Sequence, residues 1–175
     1  MSAAEYNFPN PPDGQLGWLG LAQSVFNQLA GQWDSKTCDG GVRWQMHPWL
    51  QGWNYKNIAS NGGFFQLGAR LALYTGNASY ADKAEEVFEW LEKTSPLVTD
   101  DYQIFDGTDV AKDCSEPDRT QWTYNYGILI GGAAYVSGFC CFSFLVEIQY
   151  EKKTPPMSQF YHKSSCNTTN ARLIL

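Results

Sequence analysis

"ASNGGFFQLGARLALYTGNASYADKAEEVFEWLEK" (residues 59–93) contains the pattern that decides the fold. Its first half repeats apolar residues at the three- and four-residue spacing that places side chains on one helix face: Phe64, Leu67, Leu71 and Tyr74. Its second half repeats the pattern with Tyr80, Ala84, Val87, Phe88 and Leu91. The stretch therefore predicts two amphipathic helices in succession.

The residues between and before these helices predict where each one begins and ends. Gly76 is the left-handed residue that commonly follows a helix C-terminus. Ser60 or Asn61 is the predicted N-cap of the first helix, and Ser79 is the predicted N-cap of the second. A connection of about two or three residues forces the two helices to run antiparallel.

Two further helices are predicted on either side of this pair. The first, over residues 16–33, follows Pro11-Pro12-Asp13-Gly14 and buries Leu19, Ala22, Phe26, Leu29 and Trp33. The last, over residues 121–136, contains the small residues Gly127, Gly131, Gly132, Ala133 and Ala134. Glycines make a helix costly unless a neighbour packs close against it. With helices also over 61–75 and 80–93 and no sheet of consequence, the predicted fold class is all-α.

Composition and charge exclude several functions. The 175 residues include 12 Lys and Arg against 18 Asp and Glu, a net charge of −6, and no basic cluster that would bind nucleic acid. His47 and His162 stand alone, so we predict no metal site and no cofactor. The longest apolar run, residues 138–146, is too short for a membrane helix.

Export signals and cysteines give mixed indications of the compartment. The N-terminus lacks the basic and apolar regions of a signal peptide, so the sequence read alone indicates a cytosolic protein. Asn77 and Asn167, however, each open an N-glycosylation sequon. Of the five cysteines we pair Cys38 with Cys114, and the odd count leaves at least one cysteine unpaired in a secreted protein.

An aromatic loop, "TCDGGVRWQMHPWLQGWNYKN" (residues 37–57), separates the first two predicted helices. It carries Trp44, Trp49, Trp53 and Tyr55 among glycines and polar residues. One interpretation is a loop packed onto the core. The other is a carbohydrate platform, because an indole face stacks on the apolar face of a pyranose while amide and charged groups bind its hydroxyls.

The ordered motifs resemble glycoside hydrolase family 76, in particular its fungal endo-1,6-α-mannanase-like cell-wall members. The motifs are residues 59–93, "DDYQIFDGTDVAKDC" (100–114) and "QWTYNYGILIGGAAY" (121–135), together with "MSAAEYNFPNPP" (1–12) and "CDGGVRWQ" (38–45). The resemblance implies an (α/α)6 toroid of helical hairpins, of which residues 1–138 form an incomplete part. It also implies hydrolysis or transfer at α-1,6-linked mannose in mannan or an anchor glycan, by a protein that is secreted or anchored at the wall or plasma membrane.

The resemblance also implies which residues form the site. The family's catalytic tandem aspartates are expected upstream of Met1, so no catalytic residue is assigned within the chain. Five residues in family-like motifs are the predicted substrate contacts: Trp44, Asn61, Phe64, Asp106 and Tyr124. Asp106 could instead belong to an Asp-Gly turn. The tandem pair Asp100–Asp101 is interpreted as a solvated turn rather than as the carboxyl pair of a retaining glycosidase.

The resemblance does not extend over the whole chain, and it leaves an alternative function open. Residues 139–175 resemble nothing in the family, and we interpret them as an irregular tail from a translated intron or a frameshift. The alternative function is a non-enzymatic helical-repeat fragment that binds glycan or protein through its aromatic loop.

Overall fold

The computed structural model describes the backbone of residues 1–151 and the side chains of residues 1–140. Its helices are α1 (Ser2–Glu5), α2 (Trp18–Gly31), α3 (Ile58–Thr75), α4 (Ala78–Glu89) and α5 (Thr123–Glu151), and a π-helical turn (Trp90–Thr94) continues α4. The strands are β1 (Tyr55–Asn57), β2 (Gly107–Asp109) and β3 (Pro117–Asp118), with a 3-10 turn at Val110–Lys112. Helix α5 continues past the predicted boundary at Gly138. The rest of the predicted tail, including His162, Cys166 and Asn167, lies outside the described residues.

Helices α3 and α4 form the predicted hairpin. Gly76 ends α3 in the left-handed conformation (φ 71°), and its N–H donates to the Ala72 carbonyl at 2.8 Å. The two helices approach closely at Gly68, where a Cβ would lie 3.0 Å from the backbone oxygen of Tyr80 and 3.2 Å from the Ala84 Cβ. The short connection and this small contact residue together hold the pair antiparallel.

The predicted N-caps of these helices were wrong. Asn57 caps α3, since its extended backbone precedes the helix and its side chain accepts from Ser60 N at 3.1 Å. Asn77 caps α4 in the same way and accepts from Ser79 N at 3.0 Å. In both cases the asparagine accepts from a first-turn N–H that lies two or three residues after it in the sequence. The predicted cap residues therefore lie inside the helices.

The small residues of α5 allow it to pack closely against α3, as the sequence predicted. A Cβ at Gly132 would overlap the ring of Phe65, lying 2.6 Å from its Cδ1. On the other side of the contact, a Cβ at Gly62 would lie 3.1 Å from side-chain carbons of Ile128 and Leu129. Helix α3 is therefore the central element, because α2, α4 and α5 all pack against it.

The core around α3 is rich in aromatic residues. The ring of Phe26 on α2 lies 5.1 Å from the ring of Phe64 and meets Tyr80 edge-on at 4.8 Å. Aliphatic residues from α3, α4 and the segments that follow complete this core, among them Ile58, Leu71, Val87, Leu91 and Leu97. These side chains form one cluster, through which the helices contact one another.

A small antiparallel sheet was not predicted. Strand β1 pairs with β2, with Tyr55 opposite Asp109, and β2 pairs with β3. Strands of two or three residues are too short to show the alternation that identifies a strand in sequence. The sheet brings three distant segments to the N-terminal end of α3. Within residues 1–151, no helix is both long and apolar enough to cross a membrane.

The segment between α2 and β1 is fixed by a disulfide and by a buried lysine. Cys38 bonds to Cys114, with their Cα atoms 5.6 Å apart. Lys56 is fully buried, and its Nζ donates to the carbonyl oxygens of Thr37 at 2.8 Å and Gly40 at 2.5 Å. Burial lowers the pKa of Lys56, and the Asp34 carboxylate at 3.6 Å opposes that shift. These contacts join the loop to β1 and to the turn after β2.

Candidate functional site

An open cavity of about 540 Å³ lies where the sheet meets the N-terminal ends of α3 and α5. Its lining residues come from the aromatic loop, β1, the start of α3, the residue before β2, strand β3, and the start of α5 with the residue before it: Trp44, Tyr55, Asn57, Ala59, Asp106, Asp118, Trp122 and Tyr124. We call this the Asp106 cavity. It combines flat aromatic side chains with two carboxylates, which is the mixture that small polar ligands require.

The Asp106 carboxylate is held by two neighbours. The Tyr55 hydroxyl donates to its Oδ2 at 2.9 Å, and Asn125 Nδ2 lies 3.4 Å from its Oδ1. Burial and the hydrogen bond to Asp106 raise the pKa of Tyr55 far above its usual 10, so the phenol remains a donor. Ile58 N donates to the Asp106 backbone oxygen at 2.9 Å, which fixes this residue at the start of α3.

The aromatic side chains form the walls of the Asp106 cavity. Trp44, Trp122 and Tyr124 are each about half exposed, at 50%, 47% and 50%. The rings of Trp122 and Tyr124 are stacked, 6.3 Å apart with 21° between their planes. Burial and the nearby charge of Asp106 raise the pKa of Tyr124. Because these rings are already half exposed, a ligand can contact their flat apolar faces without any rearrangement of the core.

Asp118 supplies the second carboxylate of the Asp106 cavity. Its Oδ1 accepts from the backbone N of Thr120 at 3.0 Å and from the Thr120 hydroxyl at 2.8 Å. These hydrogen bonds lower the pKa of Asp118, so it is ionised at neutral pH. Across the part of the chain that the structure describes, no group of three or more His, Cys, Asp or Glu residues is arranged to hold a metal ion.

Two glycines allow the aromatic rings to reach the cavity. A Cβ at Gly107 would lie 2.5 Å from Cζ of Tyr55, so only glycine leaves room for the ring. Gly107 belongs to β2 and pairs with Asn57, which shows that the Asp-Gly turn considered for Asp106 was wrong. Gly52, with φ of 88°, underlies Trp44 in the same way, since a Cβ there would lie 2.5 Å from Cε3.

Of the five predicted contact residues, the structure brings Trp44, Asp106 and Tyr124 together at the cavity and leaves Asn61 and Phe64 out of it. Asn61 is fully buried; its Oδ1 accepts from Val42 N at 2.7 Å, and its Nδ2 donates to the Val42 oxygen at 3.0 Å. Phe64 is 1% exposed and packs in the core. The prediction for these two was wrong, because their side chains are already used in holding the loop and α2 against α3.

Other residues of the cavity were missed. In the sequence Tyr55 is only one more aromatic residue of its loop, and the sequence analysis assigns no role to Asn57, Asp118, Trp122 or Asn125. The useful signal was the cluster Trp122-Thr123-Tyr124-Asn125, which places two aromatic residues and an amide at a helix start. Asn125 is fully buried, and its Oδ1 has no hydrogen-bond partner among the described residues.

The remaining candidates lie away from this cavity. Asp100 and Asp101 are exposed, and Asp101 accepts from Gln103 Nε2 at 2.7 Å within its own turn. His47 stacks on Trp49, with ring centroids 4.5 Å apart. Asn77 is exposed at the start of α4, where its side-chain oxygen also accepts from the Ser79 hydroxyl at 2.9 Å.

A second cavity adjoins the first on the side of the aromatic loop. It has a volume of about 940 Å³ and is lined by Trp44, Gln45, Pro48, Leu50, Gln51, Gly52, Trp53, Asn54, Tyr55 and Asp109. We call it the loop cavity. Trp44 and Tyr55 line both cavities, and a hydrogen bond of 2.7 Å from Trp44 N to the Tyr55 oxygen closes residues 45–54 of the aromatic loop at its base.

Comparison with known protein families shows which family this architecture belongs to. Residues 1–140 match the model of glycosyl hydrolase family 76, a range that includes α1 to α4, the first part of α5, the sheet and both cavities. The chain belongs to glycosyl hydrolase family 76. The solved structures of this family have an (α/α)6 toroid fold, and the described helices are an incomplete part of one.

Two similar curated proteins of family 76 come from yeasts. The chain is 48% identical over 137 residues to a mannan endo-1,6-alpha-mannosidase DCW1 of Candida glabrata, covering 78% of this chain and 31% of that protein. It is 47% identical over 137 residues to a mannan endo-1,6-alpha-mannosidase DFG5 of Saccharomyces cerevisiae, covering 78% of this chain and 30% of that protein. The chain thus spans about a third of the length of the curated relatives it matches.

Solved family 76 structures include a fungal one and more distant bacterial ones. Dfg5 from Chaetomium thermophilum, in complex with glucosamine, is 45% identical with a TM-score of 0.72, over 76% of this chain and 33% of that one. The α-mannanase BT2949 of Bacteroides thetaiotaomicron is 19% identical with a TM-score of 0.53, over 67% of this chain and 34% of that one. The second likeness concerns the fold alone.

Proposed function

We propose that the Asp106 cavity is a carbohydrate subsite of a mannan endo-1,6-α-mannosidase. The observation that carries the proposal is the fixed Asp106 carboxylate between half-exposed aromatic walls. A pyranose has apolar C–H faces that stack on rings such as Trp44 and Tyr124 and hydroxyls that donate to a carboxylate. The relatives named as mannan endo-1,6-alpha-mannosidases supply the choice of α-1,6-linked mannose as the sugar.

Within this proposal Asp106 and Asp118 bind sugar hydroxyls rather than cleave the linkage. Asp106 accepts a hydrogen bond from Tyr55, and Asp118 accepts two from Thr120. The bonds from Thr120 lower the pKa of Asp118 and keep that carboxylate in its charged, accepting form. Glycoside hydrolysis needs in addition a protonated carboxyl group that acts on the leaving oxygen. We propose no such role for a residue of the Asp106 cavity.

We also propose that the protein acts outside the cytosol, at or near the fungal wall. The disulfide between Cys38 and Cys114 supports an oxidising compartment, where such bonds form and persist. Asn77 is an exposed candidate for glycosylation in the same compartment. A mannan substrate would be reached there directly. Expression in a secretory host, followed by mass measurement of the Asn77 peptide with and without glycosidase, tests the modification.

The binding proposal is tested by titrating the chain with α-1,6-mannotriose in a calorimeter. Trp44→Ala should weaken binding by about three- to tenfold, because one aromatic stacking contact is lost. Trp49→Ala is the matched control: Trp49 is 77% exposed but lines neither cavity. Equal affinities of the wild type and the Trp44→Ala variant would contradict the proposal.

A non-enzymatic glycan-binding role is the alternative, favoured by the exposure of the aromatic loop. Release of reducing ends from unbranched α-1,6-mannan by this chain would establish the enzymatic function. Turnover that is abolished by Asp106→Asn would give Asp106 a catalytic role. Binding of mannotriose without release of reducing ends is expected of this chain under both functions, because no catalytic residue is assigned within it.

A further inference from the structure

We propose that the buried Lys56 is a positioning residue of the Asp106 cavity, and that its ammonium acts as a tethered cation that holds the wall bearing Trp44 in place. This inference rests on the proposed function of that cavity and names what fixes its geometry. Lys56 is the middle residue of β1, between Tyr55 and Asn57, which line the cavity. Because successive side chains of a strand point to opposite faces, Lys56 points away from the cavity and into the protein.

The ammonium group of Lys56 is surrounded by backbone oxygens. Its Nζ donates to the carbonyl oxygens of Thr37 at 2.8 Å and Gly40 at 2.5 Å, and to that of Asp34 at 3.4 Å. An ammonium has three N–H donors and no acceptor, so three carbonyl oxygens match its capacity. All three belong to residues 34–40, which we call the carbonyl segment. Carbonyl oxygens gathered in this way are the groups with which proteins replace the water shell of a monovalent cation.

Lys56 joins the carbonyl segment to β1. Among the described residues, the hydrogen bonds between residues 34–40 and strand β1 all come from this ammonium. The carbonyl segment is otherwise held elsewhere: Asp34 N donates to the Gly41 oxygen at 3.0 Å, and the disulfide of Cys38 joins it to the turn after β2. Loss of the ammonium would therefore free the carbonyl segment from the strand that lines the cavity.

The Asp34 side chain connects this cation to Trp44. Its Oδ2 lies 3.6 Å from Lys56 Nζ and 2.9 Å from Arg43 Nη2. Arg43 directly precedes Trp44 in the sequence, and it also donates to the Trp53 oxygen at 3.1 Å. A displacement of Asp34 would therefore move the residue next to Trp44, and with it one wall of the Asp106 cavity.

The charges of this cluster show that Lys56 is more than one half of an ion pair. Lys56 and Arg43 carry two positive charges, and Asp34 supplies a single carboxylate between them. A buried charge without full compensation is costly, and an apolar side chain of similar volume would avoid that cost. The carbonyl oxygens supply the missing compensation only when they point at Nζ. The ammonium therefore favours one conformation of the carbonyl segment, which an uncharged side chain of the same length would not.

The test is Lys56→Met, which keeps a long unbranched side chain and removes the charge. Labelling with fluorotryptophan gives each tryptophan its own fluorine NMR signal, and a Trp44→Phe variant assigns the signal of Trp44. In Lys56→Met we expect the Trp44 signal to shift or broaden and the affinity for α-1,6-mannotriose to fall by about three- to tenfold. Val87→Ala is the matched control: it opens a space in the buried core of α4, outside both cavities, and should lower stability without changing either result.

A second variant, Asp34→Ala, keeps the test decisive if Lys56→Met does not fold. It leaves Lys56 and the backbone oxygens in place and removes only the link from Nζ to Arg43, so the Trp44 signal should change here as well.

The outcomes separate this inference from the proposed function. An unchanged Trp44 signal in folded Lys56→Met, or in Asp34→Ala where Lys56→Met does not fold, would overturn the positioning role of Lys56. An equal change of that signal in Val87→Ala would overturn it too, since any loss of stability would then have the same effect. A changed Trp44 signal with unchanged mannotriose affinity would support the positioning role and contradict the sugar-binding role of Trp44.

Discussion

Replacement of single glycines in α5 tests whether this helix is packed as tightly as the structure requires. Gly132 and Gly127 lie on the same helix, and alanine in place of either gains helix propensity of up to about 1 kcal/mol. At Gly127 a Cβ meets nothing within 4 Å, whereas at Gly132 it overlaps the buried ring of Phe65. Gly127→Ala should therefore stabilise the protein, and Gly132→Ala should destabilise it.

The size of the difference follows from the overlap. Phe65 is 4% exposed and packs on Phe88 with ring centroids 5.1 Å apart, so its ring cannot move into open space. Insertion of a methyl group into such packing costs about 1–3 kcal/mol. Since the gain in propensity is shared, the two variants should differ by about 2 kcal/mol in the free energy of unfolding.

Urea unfolding followed by tryptophan fluorescence measures this difference, provided that the slope of the transition is unchanged. Gly131→Ala gives an intermediate case, because the Cβ would meet only the amide end of Gln66, which lies partly in solvent and can turn away. Equal stability of the Gly132→Ala and Gly127→Ala variants would refute the close packing of α5 on α3.

Two further predictions concern the disulfide and the cavity. Cys38→Ser/Cys114→Ser should lower the free energy of unfolding by about 4 kcal/mol, from the entropy of a closed loop with a sequence separation of 76; an unchanged urea midpoint would contradict this. Burial and the hydrogen bond to Asp106 raise the pKa of Tyr55 in the folded protein. Above pH 10 the unfolded chain therefore loses a proton that the folded protein keeps. The free energy of unfolding should fall as the pH rises past that point. The fall should be smaller in Tyr55→Phe, measured by thermal unfolding between pH 8 and 11, and an identical fall in both proteins would show that Tyr55 does not contribute.

The helices could be predicted from sequence because their signal is long. The apolar face formed by Phe64, Leu67 and Leu71 repeats over several turns of α3. The small residues of α5 indicate that another helix packs closely against it, and that helix is α3. The helix starts were harder. Asparagine, serine and threonine all cap helices, so the sequence does not say whether Asn57 or Ser60 precedes the first turn.

The site was harder to predict than the fold because its parts are distant in sequence and short in structure. Trp44 and Tyr124 line one cavity although they lie far apart in sequence, and the strands β1 and β2 beside them are three residues long, which leaves no recognisable pattern. The motif match placed Phe64 in the site, whereas its helical spacing placed it on the core face. The spacing gave the correct answer, since burial against Phe26 determines where that ring lies.

The hydrogen bond that joins Trp44 to Tyr55 has a consequence for how this family could diversify. Because Trp44 and Tyr55 are joined there, and because Gly52 supports the Trp44 ring while Trp53 and Asn54 accept from Arg43 and Val110, residues 45–51 are the part of the loop that can change with the least effect on β1 and α3. Glycan preference could then evolve by exchange of this one segment, while the scaffold stays under separate selection for folding. An engineer could graft residues 45–51 of one relative onto another as a cassette, keeping Trp44 and residues 52–55 in place.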